Sequence, residues 1–378
     1  MRSLKNFFSI LLIAAAVYSF NSYEKVYYGY SKAELRDLYG SGNPDLWPEA
    51  LLFDEARDGF KDIGVLPKVV FPENNPYSDA KAELGKLLFF DPRISKSGQI
   101  SCANCHDPEL MWADVRKVSY GHDRQLGVRN TPTIVNIAFS DDYFWDGRAL
   151  TLEEQVKTPL ESPIEMNMHS RLAVLSIKKI KGYETYFVKA FGDKKVTDER
   201  VAKAIATFER TLVSPPSKFD KFISGDKKLF TDSEVRGLHF FRTKANCINC
   251  HNTPYFSDNK YHNLGLTHFN TPEEDLGRYE ITKNPEDVGK FKTPTLREVS
   301  KTAPYMHNGM FADLREVLEQ YGDGMPDEKI VSKGNLVSKK SAMITSFATD
   351  ESELLDIENF LKTLHSYKEK IRPPLLPK

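Results

Sequence analysis

The stretch SCANCH, residues 101–106, has a second copy, NCINCH, at residues 246–251. Both copies contain Cys-x-x-Cys-His, the pattern by which haem c is attached: the thiols form thioethers with the porphyrin and the histidine binds the iron. The sequence therefore predicts two covalently bound haem c groups, which use all four cysteines of the chain. The attaching residues are Cys102, Cys105 and His106 for the first haem and Cys247, Cys250 and His251 for the second.

A zinc site with four cysteine ligands and a thioredoxin-like redox pair also use Cys-x-x-Cys. Neither alternative explains why a histidine directly follows both pairs. A structural zinc site also usually draws its ligands from one short segment, whereas the two pairs lie in different halves of the chain. The pattern therefore favours haem over both alternatives.

The chain has 378 residues, a net charge of −1 and a pI near 6.8. Its length is typical of two or three domains. The balanced charge gives no basic surplus for binding nucleic acid or an anionic membrane surface. We therefore expect no nucleic-acid partner, and the net charge identifies no other partner.

The N-terminus has the pattern of an export signal. Arg2 and Lys5 precede an apolar run over residues 7–20, which is too short to span a membrane comfortably. Large residues stand where a cleavage site prefers small ones, so residues 1–22 are either a signal peptide or an uncleaved N-terminal anchor. Because c-type haem is attached outside the cytoplasm, we expect a periplasmic protein.

Helical periodicity organises the chain after a first segment that lacks it. Residues 23–78 are rich in aromatic residues and proline, and we expect them to form an N-terminal extension that wraps the first domain. The apolar positions of residues 197–212 share one face and predict an amphipathic helix, which ends at the Ser214-Pro-Pro breaker. We place there the boundary between a first haem domain, residues 79–214, and a second, residues 215–378.

Each haem motif follows a predicted helix. Leu84, Leu87 and Leu88 have helical spacing ahead of the first motif. Ahead of the second motif, Thr231 and Glu234 form a capping box that starts another helix. Alternation typical of strands is nearly absent, so the predicted fold class is all-α.

An internal repeat relates the two halves of the chain. Residues 131–154 align without gaps on residues 293–316. The alignment pairs Trp145 with His307, so the two copies differ where their chemistry could differ. A duplication of this kind predicts two related cytochrome c-like haem domains.

The ligand at the sixth coordination position of each iron determines whether that haem transfers electrons or reacts with peroxide. A histidine, methionine or tyrosine could fill it, or it could stay open. His122 is a candidate ligand of the first iron because it lies in a glycine-flanked loop shortly after His106. For any single histidine, a surface or packing role is the alternative.

Several further motifs occur in a fixed order around the haem motifs. Together they resemble the bacterial dihaem cytochrome c peroxidase family, including its MauG-type branch, over roughly residues 80–365. The motifs are LGKLLFFDPRIS, SCANCH, GHDRQLGVRNTPT, FWDGRA, DLGRYEITK and FKTPTLREVSKTAPYMHNG. The ordered set is far more specific than either haem motif alone.

The resemblance implies a division of labour between the haems. The N-terminal haem would react with hydrogen peroxide, and the C-terminal haem would pass it electrons from a small donor protein, a cytochrome c or a cupredoxin-like protein. His122 would be the removable distal ligand of the first iron. Glu165 and Gln155 would handle protons on its distal side, and Trp145 would carry electrons between the haems. The resemblance also implies that a homodimer can form.

The resemblance further implies a calcium ion between the domains. Its ligands would be the side chain of Asn130 and the backbone carbonyls of Thr302 and Pro304. Oxygen donors of this kind suit calcium. We therefore expect one bound calcium ion besides the two haems.

The second iron departs from the peroxidase pattern. The peroxidases carry a methionine on the helix after the His-x-Gly turn, whereas this chain has Tyr321 there, like the MauG-type branch. Pro159 also agrees with that branch, but a distal histidine such as His122 does not. A tyrosine ligand would stabilise ferric iron and give the second haem a low potential. The rival ligands for this iron are Met306, Met310, Met325, His262 and His268.

These observations favour a periplasmic peroxidase that reduces hydrogen peroxide to water. The first alternative is a MauG-like oxidase, which would use the same oxidising equivalents to modify a protein or a small molecule. The second alternative is a dihaem cytochrome that only transfers electrons, with both irons permanently six-coordinate.

Overall fold

The computed structural model describes residues 29–327, 332–368 and 371–378. The predicted signal peptide or anchor, residues 1–22, lies outside these ranges. The described chain is mostly helical with two antiparallel pairs of short strands, which confirms the expected helical fold. No helix in the described ranges is long and apolar enough to cross a membrane.

The α-helices of these ranges are α1 (Lys32–Tyr39), α2 (Asp54–Arg57), α3 (Asp79–Phe89), α4 (Leu152–Glu161), α5 (Ser170–Lys178), α6 (Gly182–Phe191), α7 (Asp198–Glu209), α8 (Lys218–Ile223), α9 (Asp232–Arg242), α10 (Tyr279–Thr282), α11 (Leu314–Gly322) and α12 (Glu351–Lys362). The strand pairs are β1 (Tyr261–His262) with β2 (Phe291–Lys292), and β3 (Ser332–Lys333) with β4 (Leu336–Val337). Both haem motifs begin with a short 3₁₀ turn, at Cys102–Asn104 and Cys247–Asn249.

Side-chain caps fix where the two best-predicted helices begin. Thr197 accepts a hydrogen bond from the backbone N–H of Arg200 at the start of α7. Thr231 and Glu234 form the predicted capping box at the start of α9. Such caps satisfy backbone N–H groups that have no partner within the helix. Both predicted helices are therefore confirmed.

Each haem motif follows a helix that packs closely against a later one. α3 packs against α7, and α9 packs against α12. A Cβ atom added to Gly85 in α3 would lie 1.9 Å from the carbonyl oxygen of Ala204 in α7. One on Gly237 in α9 would lie equally close to the carbonyl oxygen of Asp356 in α12. In both halves, a close contact at a glycine thus positions the helix that precedes the haem motif.

Two large hydrophobic clusters surround the two motifs. The first contains Leu88 from α3 and Phe208 from α7, together with the fully buried Trp112. The second contains Phe241 from α9 and Phe360 from α12. These pairs of long helices supply much of each cluster, so each haem motif lies beside its own core.

The N-terminal extension packs on the second half, and the C-terminal segment packs on the first. Leu35, Tyr39 and Trp47 of the extension pack in the second cluster rather than the first. The expectation that the extension wraps the first domain is therefore wrong for most of its length. Conversely, Tyr367 near the C-terminus packs in the first cluster. Local periodicity cannot indicate which half a terminal segment covers, because that depends on where each half leaves apolar surface exposed.

The repeat copies adopt the same local backbone and meet each other. Asn136 and Glu298 are repeat partners, and both have left-handed backbones, with φ of 65° and 67°. Their side chains both contact the hydroxyl of Ser214, at 2.9 Å from Asn136 Nδ2 and 2.6 Å from Glu298 Oε1. The rings of Trp145 and His307, another pair of repeat partners, lie 6.4 Å apart. Equivalent positions of the duplication thus face one another between the halves.

Candidate functional site

The two motif histidines are held in the same way. His106 Nδ1 lies 3.1 Å from the carbonyl oxygen of Trp112, and His251 Nδ1 lies 3.1 Å from that of Phe256. A carbonyl oxygen can only accept, so Nδ1 donates its proton and Nε2 keeps a lone pair for iron. Burial lowers the pKa of both histidines, which favours the neutral form that a metal requires.

Left-handed backbones turn these two carbonyls toward the histidines. Trp112 has a φ of 57° and Phe256 a φ of 58°. Both side chains are fully buried aromatic residues. Aromatic packing therefore fixes a backbone conformation that residues other than glycine rarely adopt, and thereby fixes the proximal hydrogen bond.

The four motif cysteines form no disulfide. Burial raises the pKa of the Cys105 thiol to about 11 and that of Cys247 to about 12. Neither is therefore a thiolate nucleophile at neutral pH. The four cysteines, all within the described residues, do not gather into one cluster. This arrangement does not fit a four-cysteine zinc site.

A cavity of about 260 Å³ adjoins the second motif. Cys247, Cys250 and His251 contribute to its lining, and so does Tyr321 from α11. The remaining lining is largely apolar. Burial raises the pKa of Tyr321, and its hydroxyl has no hydrogen-bond partner among the described residues. The two thiols, the oriented histidine and the apolar lining fit a covalently attached haem, with the unpaired phenol of Tyr321 available to the iron.

The rival ligands of the second iron differ in access to this cavity. Met306 lines it, whereas Met310 is 37% exposed and Met325 packs beside Leu266 and Phe311. Met343 also lines the cavity and was missed by the sequence reasoning. No local pattern could have indicated it, because only the fold brings the segment after β4 to this place.

The two rival histidines differ in their access to this cavity. His262 lines it, and its Nε2 lies 2.8 Å from Asp258 Oδ2. Burial lowers the pKa of His262, but the interactions with Asp258 and Cys250 prevail and raise it to about 10. His268 is exposed at the surface.

The structure brings His122 and Glu165 together near the first motif. The backbone N–H of His122 donates to the carbonyl oxygen of Glu165 at 2.7 Å. A Cβ on Gly121 would lie 2.0 Å from the carbonyl oxygen of Ile164, so only glycine permits this approach. Nδ1 of His122 is buried without a hydrogen-bond partner among the described residues. An orphaned ring nitrogen of this kind fits a group, such as iron, that is not part of the polypeptide.

Glu165 has the environment of a proton-transfer group. Burial raises its pKa, opposed by the charge of Arg148. Glu165 is close enough to Cys105 to influence its thiol. The carboxyl group is thus desolvated beside the first haem attachment site, where a raised pKa makes it a stronger base once ionised.

Gln155 is less directly placed. It lies half-buried on α4, and no hydrogen bond within the described residues joins its side chain to Glu165 or His122. Pro159, one turn further along α4, accepts a hydrogen bond from the backbone N–H of Met166 at 3.1 Å. A backbone hydrogen bond therefore ties α4 to the segment that carries Glu165.

Trp145 lies between the two halves. Its Nε1 donates to the carbonyl oxygen of Asn130 at 2.9 Å, and the indole shares the cavity wall with residues of the second motif. His307 stacks on Phe291 with ring centroids 3.5 Å apart. The indole thus contacts both the backbone of the first half and the cavity beside the second motif.

Asn130, Thr302 and Pro304 all contribute to the lining of the same cavity. The amide nitrogen of Asn130 donates to the carbonyl oxygens of Arg116 and Lys117. Because the nitrogen is used in this way, the amide oxygen is the atom left for a cation. The three residues expected to bind calcium thus share the lining of one cavity.

The sequence reasoning also missed Glu209. It lies on α7, 4% exposed, and its Oε2 has no hydrogen-bond partner among the described residues. Burial raises its pKa to about 8, and its charge influences Cys102. A signal was present in the sequence, because Glu209 falls one turn after Ile205 on the apolar face of the predicted helix.

Comparisons with known proteins agree with this geometry. Residues 79–228 match the family model described as di-haem cytochrome c peroxidase. The chain is 36% identical to the methylamine utilization protein MauG of Methylophilus methylotrophus over 327 residues, which cover 85% of this chain and 92% of that protein. It is 38% identical to the cytochrome c551 peroxidase of Nitrosomonas europaea over 311 residues, which cover 82% of this chain and 86% of that protein.

Among solved structures, the fold is similar to that of a MauG-like protein associated with microbial copper homeostasis. The TM-score is 0.72 at 32% sequence identity, and the match covers 80% of this chain and 95% of that one. The chain therefore belongs to the di-haem cytochrome c peroxidase family.

Proposed function

We propose that this protein is a dihaem cytochrome c peroxidase that reduces hydrogen peroxide to water with electrons from a small redox protein. The observation that carries the proposal is the desolvated carboxyl of Glu165, held beside the first haem motif by the backbone contact with His122. Relatives at this level of identity include proteins named as cytochrome c peroxidases.

Reduction of peroxide consumes two electrons and two protons and yields two water molecules. When bound, haem supplies the redox chemistry that cleaves the O–O bond. Glu165 takes a proton from one peroxide oxygen and returns it to the other, so that water can leave. Gln155 orients the peroxide through its amide, and His122 moves aside to admit it.

The same proposal assigns each half a role. Residues 79–214 form the peroxidatic haem domain and residues 215–378 the electron-transfer haem domain, with residues 23–78 as the extension. When both haems are bound, His106 and His122 would hold the first iron, and His251 and Tyr321 would hold the second. A cytochrome c or cupredoxin-like donor would supply electrons to the C-terminal half, and Trp145 would carry them toward the N-terminal half.

We propose three further features of the protein. A calcium ion held by Asn130, Thr302 and Pro304 joins the halves beside Trp145. The protein acts in the periplasm, either free after removal of its signal or anchored by it, since c-type haem is attached outside the cytoplasm. It can function as a homodimer.

A MauG-like oxidase is the second candidate, and Tyr321 is the observation that favours it. Its unpaired phenol lies in the cavity with His251, where the peroxidases carry a methionine. Such an enzyme would modify a protein or a small molecule without needing prior reduction. A cytochrome that only transfers electrons would instead keep both irons six-coordinate, so that cyanide would leave the spectrum of the reduced protein unchanged.

Steady-state peroxide reduction with a reduced small cytochrome tests the proposal. We expect Glu165→Gln to lose about 10²–10⁴-fold in kcat, the usual contribution of a proton-transfer group. Glu184→Gln is the matched control, because Glu184 is exposed on α6 of the same half, and it should keep wild-type activity. A Glu165→Gln variant with full haem content and full activity would refute the assignment.

A further inference from the structure

The two motif histidines are oriented in the same way, but only the aromatic residue that orients the first has a side chain able to form a hydrogen bond. The carbonyl oxygen of Phe256 accepts a hydrogen bond from His251, and the Phe256 ring packs against Phe219 at 5.2 Å and lies 5.5 Å from the guanidinium of Arg297. The carbonyl oxygen of Trp112 accepts a hydrogen bond from His106, and the Trp112 indole carries an N–H donor. Its Nε1 donates to the hydroxyl of Tyr367 at 3.2 Å.

Tyr367 comes from the C-terminal segment that crosses to the first half. Trp112 is completely buried and Tyr367 is 4% exposed, so water cannot replace this hydrogen bond. The Trp112 indole also packs against Phe89 and Phe208, at 5.6 and 5.8 Å between ring centroids. The hydroxyl therefore sets the rotation of an indole whose own backbone carbonyl orients His106.

The backbone of the same tyrosine is tied to the second half. Its N–H donates to Oε1 of Glu298 at 3.1 Å. Glu298 is completely buried, and its other oxygen, Oε2, lies 2.5 Å from Nδ1 of His365. Glu298 follows Pro294 in the second repeat copy by one short turn, and the backbone of Pro294 contacts His251. A continuous path of contacts and short chain segments thus runs from His251 to His106.

We propose that Tyr367 is a positioning residue for His106, through which the second half sets the strength of the proximal hydrogen bond of the first haem. A fixed Trp112 carbonyl keeps that hydrogen bond short, which makes His106 a more basic ligand and stabilises ferric iron. A Trp112 carbonyl that can move weakens its hydrogen bond with His106, and the weaker hydrogen bond favours ferrous iron. The inference requires haem at His106 but does not require peroxidase activity.

The test compares the haem-loaded proteins Tyr367→Phe and Tyr183→Phe with wild type. Phenylalanine keeps the buried ring and removes only the hydroxyl. Tyr183 is the matched control because it is a buried tyrosine of the same cluster whose hydroxyl binds Asp91 instead. We expect Tyr367→Phe to raise the midpoint potential of the first haem and to lower its iron–histidine stretching frequency in resonance Raman spectra. The second haem and the control should keep wild-type values.

A double variant separates positioning from general loss of packing. Trp112→Phe removes the donor of the same hydrogen bond, so the potential of Tyr367→Phe/Trp112→Phe should equal that of Trp112→Phe alone. Additive shifts would overturn the proposal, as would a Tyr367→Phe variant whose first haem keeps its wild-type potential and Raman frequency. Equal shifts at both haems would also overturn it.

His365→Gln offers a second route if Tyr367→Phe does not retain haem. The side chain of His365 is 25% exposed, and its Nδ1 contacts Glu298 Oε2. This variant should shift the midpoint potential of the first haem in the same direction by a smaller amount. An unchanged potential would overturn the claim that the second half sets the strength of the hydrogen bond between His106 and the Trp112 carbonyl. None of these measurements uses peroxide, so their failure is distinguishable from failure of the proposed enzyme activity.

Discussion

At the scale of single residues, the haem motifs needed no tertiary information, whereas the groups around them did. Cys-x-x-Cys-His is local chemistry, so its six residues could be identified directly. The environment of Glu165 depends on Gly121, which admits the backbone approach of His122. Sequence alone could place these residues near each other only through resemblance to a family.

Tyr321→Met should raise the midpoint potential of the second haem by on the order of 0.1 V, because a thioether favours ferrous iron more than a phenol oxygen does. A spectroelectrochemical titration measures the change. Tyr305→Phe is the control, since Tyr305 lines the same cavity but its hydroxyl donates to the carbonyl oxygen of Val299. An unchanged potential in Tyr321→Met would show that Tyr321 is not the ligand and would direct attention to Met306 and Met343.

Glu209 should make stability depend on pH. Its pKa is about 4.3 in an unfolded chain and is raised by burial to about 8 in the folded protein. The folded state holds this proton more tightly, so the stabilisation is complete below about pH 4 and is lost as the pH rises toward 8. Glutamine stays neutral at every pH. When the pH is raised from about 5 to 8, the unfolding temperature of Glu209→Gln should therefore fall less than that of wild type.

The exposed Glu184→Gln substitution serves as the control for Glu209 and should keep the wild-type slope. Thermal unfolding followed by circular dichroism at several pH values provides the comparison. A Glu209→Gln variant with the same pH dependence as wild type would mean that this carboxyl ionises freely in the folded protein.

At the scale of elements, helix starts were predictable because their causes are local. Thr197 and Thr231 cap α7 and α9 with the residues that follow them in sequence. The partners of these helices were not predictable in the same way. Gly85 and Gly237 allow close packing only because particular carbonyls of α7 and α12 face them, which no sequence pattern contains.

Gly85→Ala should destabilise the first half by about 1–3 kcal/mol or more, because the new methyl group would overlap the Ala204 carbonyl and neither backbone can move freely. A lower unfolding temperature by differential scanning calorimetry would support this. Gly64→Ala is the matched control, since its methyl group would meet only Pro254 at an ordinary 3.7 Å. Equal stability of the two variants would contradict the role of Gly85.

At the scale of the whole molecule, the two halves are joined because the N-terminal extension packs on the second half and the C-terminal tail packs on the first. Arg242 in the second half donates to the carbonyl oxygen of Pro48 at 2.6 Å and holds the extension there. At the other end, the N–H of Gly182 in the first half donates to the carbonyl oxygen of Lys378 at 2.8 Å. The duplication could be predicted from the repeat, but this exchange could not, because it depends on surfaces that only the folded halves create.

Deleting residues 371–378 should therefore loosen the first half selectively. Ile371 and Leu376 pack against the first cluster, and the carbonyl of Pro377 accepts a hydrogen bond from Arg93 at 2.9 Å. Hydrogen exchange should show faster exchange in α3 and α6, with α9 and α12 protected as in the full chain. Uniform loss of protection, or none, would contradict the assignment of the tail to the first half.

The most direct test of the central claim is the amount of donor consumed per peroxide. Reduced small cytochrome is mixed with the wild-type protein and limiting hydrogen peroxide, and oxidised donor is counted. The peroxidase account predicts continuous turnover with two electrons taken from the donor for each peroxide. A protein that oxidises no donor, yet forms a long-lived oxidised dihaem species on adding peroxide, would contradict the account and establish the oxidase in its place.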